Sequence, residues 1–592
     1  MLQAAADLMG VGRTREAAEL ASRALQVEPR HVGARRLLGH ALCRLGDFAG
    51  AERELRAALS IDKRQPVIHT ELADVLLGAG REAEAEKALR AALALDRRFL
   101  PAVELLTRWL AGRGRADEAI RIVTPLTAAG GPPAALHAHA EALRVLGRYD
   151  EAAALIRRSL VDARAGPEVE YQLAAVLMQA ERFEEAEAAA RRALAGGLRT
   201  PDTLRALGGA LEGLNRFDEA EAALREALTL EPHHPILHRD LVQLLWRRTE
   251  DAGAATAALD EALAQRPGDG SLRVLKAKAL ESAGDLAGAY AALAPVLDYD
   301  PPNAILELTA SQVAVRLDPL RALAHSGRAV SAAPDDPTVR AVAAEACLAA
   351  GRPDEAADHA QAMLALQPGN QQGMGLLAAA WRLAGDPRYT GLYDYDAFVK
   401  AYRLETPEGW PTLEAWLADF ARALDGMHGL KAHPIGQSLR QGSQATRSLD
   451  RSDDPAVRGF FEAIRTPIGR YIESLGKGRD PLRSRATGRF QLSGSWSVRL
   501  RPGGHHVPHL HPNGWLSSAC YIQLPDAVQT GREGWIAFGE PGVPTRPPLE
   551  AEHWVKPEPG MLVLFPSYMW HGTVPFSGDQ PRLTCAFDVL PA

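Results

Sequence analysis

The chain has 592 residues, too many for one hydrophobic core, and its 46% hydrophobic and 24% charged residues are ordinary for a folded protein of several domains. A formal net charge of -7 disfavours non-specific attraction to nucleic acid or to an anionic membrane. The four cysteines, Cys43, Cys347, Cys520 and Cys585, lie far apart with no CxxC pair, which argues against a disulfide framework or a zinc ribbon.

The opening MLQAAADLMG has no basic segment followed by an apolar one, and no window approaches the ~20 apolar residues of a membrane span. The expectation is a soluble, cytoplasmic protein. A motif of the form Gly-(Arg/Asp)-x-x-x-Ala then recurs in steps of 33 to 35 residues. It starts at Gly12, Gly46, Gly80, Gly114, Gly147, Glu181, Asn215, Thr249, Gly284, Leu317 and Gly351. It ends at Ala17, Ala51, Ala85, Ala119, Ala152, Ala186, Ala220, Ala254, Ala289, Ala322 and Ala356. A second ruler runs in phase: Pro29, Pro232, Pro267, Pro301, Pro334 and Pro368 each close a unit, and Lys63 and Arg97 take that place in two more.

These rulers describe a helix hairpin. A residue that tolerates positive φ ends the first helix, a small Ala lets the second approach it, and Pro stops the second. Arg216 to Pro232 carries apolar residues at i, i+3, i+4 and i+7, as an amphipathic helix does. The pattern resembles the tetratricopeptide repeat over residues 1–385, with about eleven units. That resemblance implies an all-α solenoid whose groove holds a protein or peptide partner. The plainer alternative is a spacer or an oligomerisation arm, and the oligomeric state stays open.

After Ala380 the ruler stops, and Trp, Tyr, Pro and Gly become common. Residues 386–487 read as a linker, centred on Gly391 to Pro411, and a helical lead-in with helices over Leu413 to Ala423 and Asp454 to Leu475. Residues 488–592 read as an all-β sandwich or jelly-roll barrel: FQLSGSWSVRL, WLSSACYIQL, GWIAFGEP, MLVLFPS and RLTCAFDVL are short apolar or alternating runs cut by Gly and Pro.

Within that segment His509 and His511 stand two apart in RPGGHHVPHLHPNGW, and on a strand both would face one side and grip one ion. His137 and His139 have the same spacing, but on a helix they diverge by about 200°. His571 lies 60 residues after His511, and Arg582 follows 11 residues after His571. These stretches, with QSLRQGSQ (Gln437 to Gln444), resemble the 2-oxoglutarate- and iron(II)-dependent oxygenase superfamily, in particular a hydroxylase branch fused to tetratricopeptide repeats. The resemblance implies a double-stranded β-helix, Fe(II) as the metal and 2-oxoglutarate as co-substrate. It implies His509, His511 and His571 as metal ligands and Arg582 as the cation for the distal carboxylate, a task that suits a planar guanidinium. The usual set in this superfamily is two His and one carboxylate. His511 departs from it and gives a neutral three-histidine set.

Thr584, two residues beyond Arg582 on the same strand face, can reach the same carboxylate. Tyr521 lines the pocket or packs in the barrel, and Arg501 reaches the co-substrate or ends a strand at the surface. His505 and His506 read as turn residues or as support for the ligands, and Trp496, Trp515, Trp535 and Trp554 default to the core. Two other functions stay open. Gly503, His509, His511, Gly560, Pro566 and His571 partly match cupin motifs, although a cupin leaves Arg582 unexplained. The barrel can also be an inactive relic on a repeat scaffold.

Overall fold

The computed structural model describes residues 1–128, 130–161, 166–297 and 301–592. Helices pair into hairpins from Leu2–Gly10 with Thr14–Val27 through to Pro337–Ala349 with Pro353–Leu366, and Gln371–Ala384 follows as a last helix. The residue after each first helix takes the left-handed conformation wherever the ruler supplies one that tolerates it, as at Gly46 (φ 82°) and Asn215 (φ 59°). One unit departs from the sequence register. Its first helix, Pro235–Thr249, has 15 residues where the preceding first helix, Pro201–Gly213, has 13, and the left-handed place moves on by one residue: Glu250 (φ 62°) takes it, and Ala255, not Ala254, is the fully buried alanine.

The chain divides into two compact units, Met1–Arg199 and Thr200–Ala592. The first contains hairpins alone, whose Ala and Leu stripes interleave: Ala51, Leu55, Ala85 and Leu89 are all fully buried. Removing such side chains from water supplies most of the stability of a repeat. The second unit combines hairpins with everything that follows them. One hydrophobic core runs from Ala341, in the helix Pro337–Ala349, to Val589 near the C-terminus. No helix among the described residues is long and apolar enough to cross a membrane.

Nine strands build the β region: β1 (Lys400–Arg403), β2 (Leu439–Gln444), β3 (Phe490–His506), β4 (Leu516–Gln523), β5 (Ile536–Phe538), β6 (His553–Val555), β7 (Met561–Pro566), β8 (His571–Thr573) and β9 (Arg582–Pro591). A six-stranded sheet has the order β1-β7-β4-β9-β3-β2, and a three-stranded sheet the order β6-β5-β8, with every pairing antiparallel. These are the two sheets of a jelly-roll. The lead-in contributes more than helices, because β1 and β2 form both edges of the large sheet. Their runs, KAYR and LRQGSQ, are short and polar, as edge strands facing water can be. The segment read as a linker also anchors the fold: Tyr393 and Phe398 are buried, and the Tyr393 hydroxyl donates to Tyr568 O at 2.8 Å.

Helices Leu413–Asp425, Pro455–Ala463 and Arg465–Leu475 bring aromatic side chains to this core, and the second and third divide what the sequence suggested was one helix. Phe460 meets Phe420 at 5.4 Å and Phe587 of β9 at 5.9 Å between ring centroids. β9 therefore has two faces. Leu583, Phe587 and Val589 belong to the core, whereas Arg582, Thr584, Ala586 and Asp588 line a cavity.

The β region and its lead-in dock on the ends of successive first helices. Carbonyls in the last turn of a helix lack an intrahelical partner, and the β region and its lead-in supply partners. Arg447 donates to Gly213 O, the amides of Lys431 and Ala432 to Arg247 O, and the amide of Arg546 to Leu348 O. Further along the same row, Trp246 Nε1 donates to His433 O at 2.9 Å, Arg316 to Gly542 O, and Arg382 to both Gly539 O and Glu550 O. Gly375 marks a close approach. A Cβ there would sit 2.5 Å from Leu510 Cδ2 and 2.9 Å from Tyr568 O.

Candidate active site

Strand alternation is not what joins the first two histidines. β3 ends at His506, and His509 forms an isolated bridge with His571, the amide of each donating to the carbonyl of the other at 2.8 and 2.9 Å. His511 lies in the following loop, where its amide donates to Ser567 O at 3.0 Å. The three rings still converge. Centroids are 4.2 Å apart for His509–His571 and 5.2 Å for each of the other pairs. One nitrogen from each ring lies within 4.8 Å of the others.

Hydrogen bonds on the outer side of each ring decide what faces inward. His509 Nδ1–H donates to Val507 O at 3.0 Å, and His571 Nδ1–H to Met569 O at 2.9 Å. His511 Nδ1–H donates to Asp588 Oδ1 at 2.7 Å. A neutral imidazole carries one proton, so all three Nε2 atoms present lone pairs. Burial and the neighbouring His511 push the His509 pKa down to about 3, and burial among the other rings holds His571 well below the ordinary histidine range. His509 Nε2 and His511 Nε2 stand 3.3 Å apart, and in the neutral tautomers that the outer hydrogen bonds select neither carries a proton. Lone pairs so placed repel unless a cation joins them, and three imidazole nitrogens suit a divalent transition metal.

Arg582 lies in the same cavity. It is 2% exposed, and its Nε and Nη1 find no hydrogen-bond partner among the described residues. A buried charge without an anion is costly, and a guanidinium so placed can take an anion from outside the chain. The Tyr521 ring packs beside the guanidinium, its centroid 5.2 Å from Cζ, and burial raises the phenol to about 12. Thr584 joins Arg582 on the cavity wall. Arg501 does not reach the site. It leaves the β3 turn toward the solenoid and pairs with Glu250 at 2.8 Å. An arginine before a Pro-Gly turn points out of the sheet, and Glu250 captures it there.

The cavity has a volume of about 290 Å³ and is also lined by Gln437, Ser438, Gln444, Trp496 and His506. Sequence reasoning read His506 as a turn residue or as support for the ligands; it lies not in a turn but at the end of β3, where it stacks on His509 at 5.6 Å and shares a 2.9 Å hydrogen bond with Ser438 Oγ. It missed Asp588, although the two-residue period that links Thr584 to Arg582 reaches Asp588 two steps later. The His505 ring bonds Gly503 O, and the solenoid pair separates as a helix requires, His137 toward Ser159 and His139 toward Thr127.

Comparison with known proteins places this geometry in a class. Residues 494–588 match the family described as Putative 2OG-Fe(II) oxygenase. Tetratricopeptide-repeat families match residues 8–75, 44–110, 171–235, 205–270 and 314–371. The chain thus carries tetratricopeptide repeats followed by an oxygenase-type domain, a class that implies Fe(II) and 2-oxoglutarate. Among solved structures it is similar to yeast Tom70 (14% identity, 67% of this chain and 90% of that one, TM-score 0.35). Two bacterial repeat proteins are also similar. For the C-terminal part of one from Cytophaga hutchinsonii the values are 16% identity, 40% and 98% coverage, and TM-score 0.32. For one from Parabacteroides merdae they are 15%, 46% and 95%, and 0.32. No curated protein matches the chain.

Proposed function

We propose that the chain is a 2-oxoglutarate- and iron(II)-dependent dioxygenase that hydroxylates a side chain of a protein or peptide. The observation that carries this reading is one cavity holding three inward imidazole lone pairs and a buried guanidinium, two of whose nitrogens have no hydrogen-bond partner among the described residues. When bound, iron(II) and 2-oxoglutarate supply the oxidising power, drawn from dioxygen and the decarboxylation of the keto acid to succinate. His509, His511 and His571 would hold the metal through Nε2. Arg582, with the Thr584 hydroxyl, would hold the distal carboxylate and so fix the direction in which the keto acid enters. The wall of Trp496, Gln437 and Gln444 would orient the target carbon, with polar groups for an amide or a hydroxyl.

The buried guanidinium also favours an oxygenase over a cupin-type metalloenzyme, which has no use for it, and over an inactive relic, in which nothing would repay its burial. The repeats support a macromolecular substrate. In Thr200–Ala592 several first-helix ends already hold the chain's own β region, so recruitment there must use other surfaces. Anaerobic titration of Fe(II) and then 2-oxoglutarate should give a visible charge-transfer band that His509→Ala loses. Succinate release should follow addition of air. A protein that binds iron but develops no 2-oxoglutarate-dependent band would refute the reading. Comparing host-protein masses with and without the chain, in search of one added oxygen atom, would locate the substrate.

A further inference from the structure

Three neutral imidazoles bring no negative charge to a dication, and the nearest anion stands one hydrogen bond outward. Asp588 lies on β9, on the same face as Arg582, and its Oδ1 accepts from His511 Nδ1–H at 2.7 Å. Its side chain and that of His511 are each only 13% exposed. Among the described residues His511 is the one ion-pair partner recorded for Asp588, so no Lys or Arg draws the carboxylate away.

The carboxylate is itself held. Ser517 Oγ donates to the same Oδ1 at 2.7 Å and shares a 2.9 Å bond with Ser567 Oγ. Ser567 O in turn accepts the His511 amide. Gly514 leaves room for this knot, because a Cβ there would lie 2.3 Å from Ser567 Oγ and 3.3 Å from Asp588 Cγ. His509 and His571, by contrast, are oriented by backbone carbonyls, each two residues before its own ring. His511 is the ligand without that local support.

We propose that Asp588 is a positioning residue of the metal centre, a carboxylate that fixes the ring and tautomer of His511 and returns negative charge to a three-histidine site. This rests on the reading that the three histidines hold the metal. A carboxylate behind an imidazole raises its basicity as a ligand, and losing such support typically weakens metal binding by about 10–100-fold.

The test uses the full chain and Co(II), whose visible spectrum reports coordination without redox chemistry. Asp588→Ala should weaken Co(II) binding by about 10–100-fold and alter the absorption bands of the saturated protein, while the far-ultraviolet circular dichroism stays that of the wild type. Asp588→Asn keeps an acceptor without the charge and should fall between the two. The double variant His511→Ala/Asp588→Ala should bind no more weakly than His511→Ala, since the carboxylate acts through that ring. Asp588→Ala binding Co(II) within twofold of the wild type, beside a His509→Ala variant that has lost it, would overturn the inference and leave the metal site standing. Asp588→Asn at full affinity beside a weakened Asp588→Ala would overturn the part assigned to charge. His509→Ala binding like the wild type would overturn the metal site itself, and this inference with it.

Discussion

Replacing Arg582 with Met separates what the residue does for the fold from what it does for a ligand. The guanidinium is 2% exposed, and two of its nitrogens have no partner, so the apoprotein carries the cost of a buried charge without the return. Met has similar length and no charge. Arg582→Met should therefore leave the melting temperature of the apoprotein unchanged or raise it, against the usual sign for a buried substitution. The ligand should respond the other way. Hydrogen bonds to charged groups contribute about 1.5–3 kcal/mol each, so loss of the carboxylate clamp should weaken 2-oxoglutarate by about 100-fold. At a concentration 100 times the wild-type Kd, 2-oxoglutarate stabilises the wild type by about 2.7 kcal/mol, and the variant would keep only about 0.4 kcal/mol. Thermal melts of Co(II)-loaded protein with and without 2-oxoglutarate measure both. A lower apoprotein melting temperature with an unchanged ligand shift would refute the reasoning, because it would make Arg582 a structural residue.

Trp246→Ala should destabilise Thr200–Ala592 by about 3–5 kcal/mol, because it removes a buried ring, its bond to His433 O and its edge contact with the His433 ring at 5.5 Å; chemical denaturation checks this. Gly375→Leu should displace Leu510 and with it the adjacent ligands, lowering Co(II) affinity while circular dichroism keeps its helical signal. Burial pushes the Glu345 carboxyl up to about 7, against a hydrogen bond from Gln372. A folded-state value above the unfolded one favours the protonated form, so this contribution is complete below about pH 4.5 and is lost as pH rises through about 7. Glu345→Gln should flatten that part of the stability profile, and an identical slope in both proteins would refute the assignment.

Repeats were legible because each turn demands a left-handed residue and each helix contact a small one, and both demands recur at fixed spacing. The register failed in the unit whose ruler places the β-branched Thr249 at the turn, where the helix runs on to Thr249 and Glu250 takes the left-handed place, whereas Glu181 accepts that conformation in register. At the site, residue types located His509, His511, His571 and Arg582, and the structure brings them into one cavity. The reason given for the first pair was wrong, since the two rings meet through a bridge and a loop rather than along a strand. Tyr521 packs beside Arg582, Thr584 joins it on the wall, and Arg501 stays outside with Glu250. Local periodicity could not show β1, β2 or the support from Ser517 and Ser567, because those pairings join residues far apart in the chain.

The row of docked helix ends has a consequence for how such a chain can change in length. In Met1–Arg199 a hairpin meets hairpins alone, so a duplicated or deleted copy is an alteration its neighbours can absorb. From Gly213 to Arg382 successive first helices meet different stations on the lead-in and β region: Arg447, then Lys431 and His433, then Gly436, Gly542, Arg546 and Gly539 in turn. Losing one copy there would move every later helix end to the wrong station. The tally of hairpins is therefore free to drift in the first unit and is counted out by the barrel in the second.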